Sequence, residues 1–405
     1  MRTLFLDRDF TAYFVARQSS RLASGIEDVA IGWQIFALRH HPFDLGLVGL
    51  ILFAPQLAFA LPAGIIADRF DRRVVCVCAA IAEVAGLSAF VVLAASGTTS
   101  LPAYFLAIAC IGTAHAFGSP AQRSILAGIV RSQHFVRASA LSSSVAALVN
   151  IGGPAIAGAL IAIRTPVAFG AAAFCYAIAA IGFALLRSRD VAFEDIPLLR
   201  AAREGIAFIF SRRVVLGAIS LDLFAVLFGG ATALLPVYAT QILHVGPTGF
   251  GMLRSAPAVG AVIVAAIIAR RPIVRHAGPL LLCCVLSFGV STIVFGLSKN
   301  FVLSLVALAC TGAFDMVSVV IRQALVQLGT PDALRGRVGA IEGAFIGASN
   351  ELGAFESGTL AAFIGSVGSV AVGGAATIAV IALWAFFFPQ LRRYDRLVPI
   401  DTQTG

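Results

Sequence analysis

Arg17, Arg21, Ser24 and Asp28 follow a 4, 3, 4 spacing along one apolar stretch, and Glu27 stands beside the last of them. On a helix turning about 100° per residue, these four share a face within about 60°, whereas Glu27 points roughly 80° away. A carboxylate with a cation below it on an apolar helix can exchange a proton for a substrate. Protonation removes the charge, frees the partner and changes the barrier to movement. Asp28 or Glu27 is the first choice for such coupling, against a fixed ion pair with Arg17 or Arg21. Other ionisable groups also sit within apolar runs. Asp222 and Asp315 are candidates for a cationic substrate or a proton, against a hydrogen bond inside a bundle. His115 titrates near neutrality, and its alternative is a packed, hydrogen-bonded ring. Arg254 could bind an anionic substrate or neutralise one of Glu342, Glu351 and Glu356. Glu83 reads as a structural partner.

These groups need elements that lipid tolerates. The chain has 405 residues, 59% of them hydrophobic and 12% charged, with a mean hydropathy of +0.96. An ordinary soluble domain carries about 25% charged residues, so one water-soluble domain, a disordered chain and a disulfide-stapled module are excluded. The continuous apolar runs also exclude a β-barrel. Counting runs of about 20 residues, uncharged spans are predicted at Leu45 to Ala67, Leu101 to Gln122, Ala138 to Ile163, Thr165 to Leu186, Ala277 to Ser298 and Gly365 to Pro389. Spans bearing ionisable groups are predicted at Phe10 to Leu38, Val74 to Ser96, Val214 to Tyr238, Thr248 to Ala269, Phe301 to Ile321 and Val338 to Ile364. The expectation is an all-α integral membrane protein of twelve transmembrane helices.

Cytoplasmic loops retain Lys and Arg. With both termini cytoplasmic, most of the 29 cations fall inside, among them Arg69, Arg72, Arg73, Arg123, Arg200, Arg270, Arg322, Arg335 and Arg392, while Arg39, Arg164 and Lys299 fall outside. This asymmetry explains the +9 net charge with no nucleic acid partner, which would need a soluble basic face. The first span is expected to direct insertion itself. All seven cysteines lie inside predicted helices as packing residues, and none has the spacing of a metal or redox site.

The chain also repeats. A shift of 200 residues lays Ala107, Cys110, Gly112 and His115 on Ala307, Cys310, Gly312 and Asp315, and Arg137, Asn150, Gly153 and Gly158 on Arg337, Asn350, Gly353 and Gly358. Two six-helix halves are implied: an N-terminal bundle at 1–186, a cytoplasmic linker at 187–213, a C-terminal bundle at 214–389 and a tail at 390–405. Such duplication is how many secondary transporters build alternating access. In the linker, Leu198 to Phe208 has apolar residues at helical spacing, which suggests an amphipathic helix on the inner leaflet or a plain tether.

Gly64-Ile65-Ile66-Ala67-Asp68-Arg69-Phe70-Asp71-Arg72-Arg73 resembles the cytoplasmic loop signature of the major facilitator superfamily. Gly64 permits close helix approach, Asp68 can face a helix N-terminus or an Arg, and Arg69, Arg72 and Arg73 hold the loop inside, a network able to latch one conformer. Phe117 to Arg123, Arg137 to Ser144 and Pro331 to Val338 resemble the group containing the enterobactin exporter and macrolide efflux proteins. The resemblance runs from about Phe10 to Phe388. Gly153-Pro154-Ala155-Ile156-Ala157-Gly158 is similar to the Gly-Pro signature of drug/proton antiporters, with Val149 and Ala157 in place of its glycines. Leu106 to Gly112 departs from the pattern by lacking the Arg of many proton-coupled members.

The resemblance implies the major facilitator fold, with the first, fourth, seventh and tenth spans lining a central cavity and His115 facing Asp315. No nucleotide loop, His-Glu-x-x-His or Gly-x-Ser-x-Gly is present, so an enzyme is not expected. The reading is a secondary transporter of the bacterial inner membrane. It needs no cofactor or metal, draws on a proton gradient and exports a small amphiphilic molecule, a siderophore or a drug, as a monomer touching membrane lipid. A proton-coupled importer of a nutrient or organic ion, or a non-transporting receptor on the same scaffold, is the alternative.

Overall fold

The computed structural model describes residues 7–130, 132–187, 198–273 and 275–395. Asp68, Arg69 and Arg123 are described through their backbone only. Every described element is helical, as continuous apolar backbone in lipid requires. Helix α1 (Arg8–Arg39) starts where the Asp7 side chain accepts from the Asp9 and Phe10 amides and ends at His40 in the left-handed conformation. The second predicted span is two helices, α2 (Pro42–Ala58) and α3 (Ala60–Arg69). The break falls at Phe59, between Ala58 and Pro62; Pro62 has no N–H to offer the Ala58 carbonyl, and its ring blocks that carbonyl's approach. Next come α4 (Arg72–Ala95), capped by Asp71, then α5 (Leu101–Ile129), α6 (Ser132–Ile163) and α7 (Thr165–Ala184).

The linker contains α8 (Leu198–Ser211). Part of its apolar face turns into protein: Ile209 is buried with Val215, Ile219, Val326 and Val338, and Phe208 packs against them. Arg337 pairs with Glu204. The seventh predicted span is wound in three ways. Helix α9 (Arg213–Phe228) stops at Gly229-Gly230, a 3-10 turn covers Ala231–Leu234, and a π turn covers Tyr238–Ile242. Two consecutive glycines and Pro236 remove helix propensity and a backbone donor there. The remaining helices are α10 (Gly246–Arg270), α11 (Ala277–Leu297), α12 (Phe301–Gly329), α13 (Asp332–Phe387) and α14 (Pro389–Arg392). At Gly365 φ is 79° and ψ 158°, a conformation essentially confined to glycine. The Ser369 hydroxyl reaches the Ser357 carbonyl at 2.8 Å, so the two segments of α13 fold against each other.

Among the described residues, nine helices are long and apolar enough to cross a membrane. The folded α13 supplies two spans, and α1 and the α2–α3 pair complete the twelve. Large apolar side chains such as Leu106, Phe174, Val302 and Phe363 stay exposed, which suits lipid and no other solvent. The chain is an all-α integral membrane protein.

Two compact units form: residues 1–40, 47–195 and 245–255, and residues 41–46, 196–244 and 256–405. In the first, Tyr13, Ala16, Cys76, Ala121 and Phe183 share a core, and Phe90 stacks on Phe169 at 4.6 Å. In the second, Ala218, Leu221, Leu281, Ile321 and Leu391 do so, and the Tyr238 hydroxyl donates to the Gly296 carbonyl at 2.8 Å.

Candidate functional site

In the first unit, the buried stripe of α1 runs through Ala16, Ser20, Ala23, Glu27 and Ala30, the i, i+4, i+7 face of a helix. The small members let α7 come close: a Cβ built on Gly182 would lie 2.8 Å from Ala16 Cβ. Glu27 is thereby carried inside with no exposed surface. From α5, His115 points its Nε2 to 3.9 Å from Glu27 Oε1 and 3.1 Å from Oε1 of Glu83 on α4. The Tyr176 hydroxyl on α7 stands 3.4 Å from the same Nε2. Four helices thus deliver two carboxyls, an imidazole and a phenol to one point. The Glu27 carboxyl also has the Tyr176 hydroxyl as a neighbour, and the second Glu83 oxygen lacks a hydrogen-bond partner among the described residues.

A cavity of about 130 Å³ opens beside them, lined by Arg17, Ser20, Arg21, Ser24, Gln122 and Glu83 among others. Arg17 donates to the Gln122 side chain, and Arg21 reaches the Ser142 carbonyl at 3.5 Å. Gln18 donates to both the hydroxyl and the carbonyl of Ser142. The donor atoms of Glu27, Glu83 and His115 lie within 4.8 Å of one another, a spacing that would suit a divalent cation. The guanidiniums of Arg17 and Arg21 on the same cavity oppose a cation there. The arrangement suits a proton passed among carboxyl, imidazole and carboxyl.

Several expectations change here. Asp28 is exposed and has no ion pair among the described residues, while Glu27 is the one of the two that is buried beside His115 and Glu83. Glu83 belongs to the cluster, with its Oε1 3.1 Å from His115 Nε2. Arg322, counted among the cytoplasmic cations, is buried in α12. It pairs with Asp222 of α9 and, at 3.4 Å, with Glu342 of α13 in the second unit. Two carboxylates compensate its charge, which is why it can lie within apolar helices. Sequence reading did not single out Tyr176 or Gln122 and placed Arg322 in a cytoplasmic loop, because their positions arise from contacts between helices.

The other candidates lie apart. Asp315 of α12 lines a second cavity, of about 200 Å³, in the second unit, while His115 belongs to the first. Arg254 is half-buried on α10. Gly64 lies half-buried within α3; the Asp68 and Arg69 side chains fall outside the described residues. Arg72 opens α4, and Arg73 donates at 2.6 Å to the Leu186 carbonyl just past α7. Gly153 and Pro154 meet Gly25 of α1, where a Cβ on Gly25 would stand 3.4 Å from Gly153 Cα. A Cβ on Gly158 would meet Gly251 Cα at 2.9 Å. This segment brings helices together, as small residues do in membranes. Glu356 accepts from the Ser357 hydroxyl at 3.3 Å, and Glu351 is half-buried. All seven cysteines are free.

Comparison with known proteins agrees with this architecture. The enterobactin exporter EntS of Citrobacter koseri is 24% identical over 399 residues, covering 96% of this chain and 94% of that protein. EntS of Shigella boydii serotype 18 is 25% identical over 398 residues, with the same coverage. The crystal structure of the nucleoside transporter NupG superposes with a TM-score of 0.67 at 14% identity, over 95% of this chain and 99% of that one. That of a bacterial homolog of the human lysosomal transporter Spinster, inward-facing and unoccupied, does so with a TM-score of 0.72 at 12% identity, over 95% and 96%. These neighbours are transporters, not enzymes, and the fold is that of a secondary transporter. With residues 5–402 matching its profile, the chain belongs to the transmembrane secretion effector family of the major facilitator superfamily.

Proposed function

We propose that this protein exports a small amphiphilic molecule, a siderophore or a drug, across the bacterial inner membrane in exchange for protons. It would work by alternating access, with both termini cytoplasmic. One observation carries the reading: Glu27 is wholly buried, and Glu83, His115 and the Tyr176 hydroxyl stand beside it. A bare carboxylate in such surroundings costs several kcal/mol, and one proton shared over the group removes that cost. Arg17 and Arg21 line the adjoining cavity together with Glu83 and His115. Proton arrival and departure therefore change the charge balance of four helices together, which is the differential energy a conformational switch needs. The direction of transport and the substrate class are supported by the relatives' names as enterobactin exporters. No cofactor or metal enters the scheme, and a monomer suffices.

The test is transport in inside-out vesicles under an imposed proton gradient, with enterobactin, a macrolide and a lipophilic cationic dye as substrates. Wild type should accumulate at least one, an uncoupler should abolish this, and Glu27→Gln and Glu83→Gln should each remove the gradient-driven part while the protein stays in the membrane. Accumulation that survives both substitutions, or a lack of gradient-driven movement of every substrate, would overturn the proposal.

A further inference from the structure

The second unit holds a cavity that proton exchange through Glu27 does not use. It measures about 200 Å³ and is bordered by Phe288, Thr292, Phe295, Thr311, Asp315 and Asn350, among others. Its polar lining is short of donors. The Thr292 hydroxyl donates to the Phe288 carbonyl at 2.9 Å and that of Thr311 to the Leu308 carbonyl at 2.7 Å, so each offers the cavity only lone pairs. Asn350 directs an amide N–H to the Ile346 carbonyl at 2.9 Å. Asp315 adds a carboxylate without an ion pair among the described residues.

The nearby cation is already engaged. Arg322, seven residues further along α12 and so on the same face about two turns away, is shared by Asp222 and Glu342. Arg322 gives its ion pairs to Asp222 and Glu342, and none to Asp315 among the described residues. An acceptor-rich pocket with one free carboxylate and two phenyl rings matches a positively charged nitrogen: the carboxylate balances its charge and the rings attract it through their faces. The volume takes a headgroup or fragment, below the range of drug-sized sites.

We infer that this cavity of the second unit is a binding site for an organic ammonium group, with Asp315 as its counter-ion and Phe288 and Phe295 as its aromatic walls. The site goes beyond proton coupling and does not depend on it, since ammonium binding requires no gradient.

The experiment is equilibrium binding of radiolabelled benzyltrimethylammonium to the purified full chain in lipid nanodiscs. Its uncharged carbon isostere, neopentylbenzene, serves as competitor. Binding to wild type should be saturable and indifferent to the isostere. Asp315→Asn should weaken it by about tenfold or more, Asp315→Glu should retain part of it, and Phe288→Leu should weaken it severalfold. Glu27→Gln should bind as wild type does, so failure of the proton scheme leaves this result intact, and the reverse. Thermal unfolding of each variant shows whether it is folded. The inference is overturned if wild type shows no saturable binding, if the isostere displaces the cation, or if folded Asp315→Asn and Asp315→Glu both bind as wild type.

Discussion

The Arg322 guanidinium is paired with the Asp222 carboxylate inside the second unit, joining α12 to α9 through a contact between two buried side chains. Glu342 adds a third helix to the pair at 3.4 Å. Removing one member of a buried pair strands the other charge, whereas removing all members leaves only a packing defect. Arg322→Met alone should therefore lower the unfolding free energy by about 3–5 kcal/mol. Adding Asp222→Asn and Glu342→Gln should return most of the loss. Reversible unfolding in mixed detergent micelles measures both.

Glu27 and Asp28 are adjacent in sequence and opposite in setting, one fully buried and one exposed. Glu27→Gln should reduce gradient-driven transport by about 5- to 150-fold, the range of typical coupling energies. Asp28→Asn should leave it within about twofold of wild type. Initial rates in vesicles, with and without an uncoupler, separate the two.

Gly365 and Gly152 both have open space where a Cβ would be placed, yet only Gly365 has a positive φ. Gly365→Ala should cost about 1–3 kcal/mol from backbone strain alone. Gly152→Ala, inside α6, should be neutral or stabilise by up to about 1 kcal/mol through helix propensity. Thermal unfolding of the two variants side by side gives the contrast, and equal effects would remove strain as the explanation.

Arg73 binds a carbonyl at the end of α7, a fixed point within its own unit. Arg73→Gln should cost about 1.5–3 kcal/mol of stability, the worth of a hydrogen bond from a charged group, and leave substrate affinity unchanged. Unfolding and binding measured on the same preparation test this; a change in affinity without loss of stability would instead assign Arg73 to the substrate path.

The sequence shows span positions well because lipid imposes length and apolarity directly, and the boundary between the last two spans falls at Gly365 for a reason visible in its residue type. Internal breaks are harder to place: Pro55 and Pro62 are both visible in the sequence, but only the second coincides with a break, at Phe59. Charge placement misleads where an Arg at the end of an apolar run reads like a cytoplasmic anchor, as Arg322 does. Its burial depends on Asp222 and Glu342, which are far away in sequence. Periodicity draws attention to the Arg17, Arg21, Ser24 and Asp28 stripe, whereas the acid buried in the cluster is Glu27. The signal for Glu27 is the flanking row of Ala16, Ala23 and Ala30, small residues that mark the face other helices approach. Glu83 and Tyr176 leave no such trace, since nothing in the spacing of α4 or α7 tells which neighbour they will meet.

The 200-residue shift that places His115 on Asp315 also places Gln122 on Arg322 and Ser142 on Glu342. In the first half, the cations Arg17 and Arg21 reach neutral partners at those positions; in the second, the positions themselves carry the charges. One duplicated frame thus supports two polar interiors.

The turn at Gly365 leaves almost no chain between the eleventh and twelfth spans, and a hydrogen bond between Ser369 and Ser357 closes it from within. A hairpin without slack cannot let one arm slide while the other stays. The segment bearing Glu342 is thus tied to the final span through one glycine and one hydrogen bond.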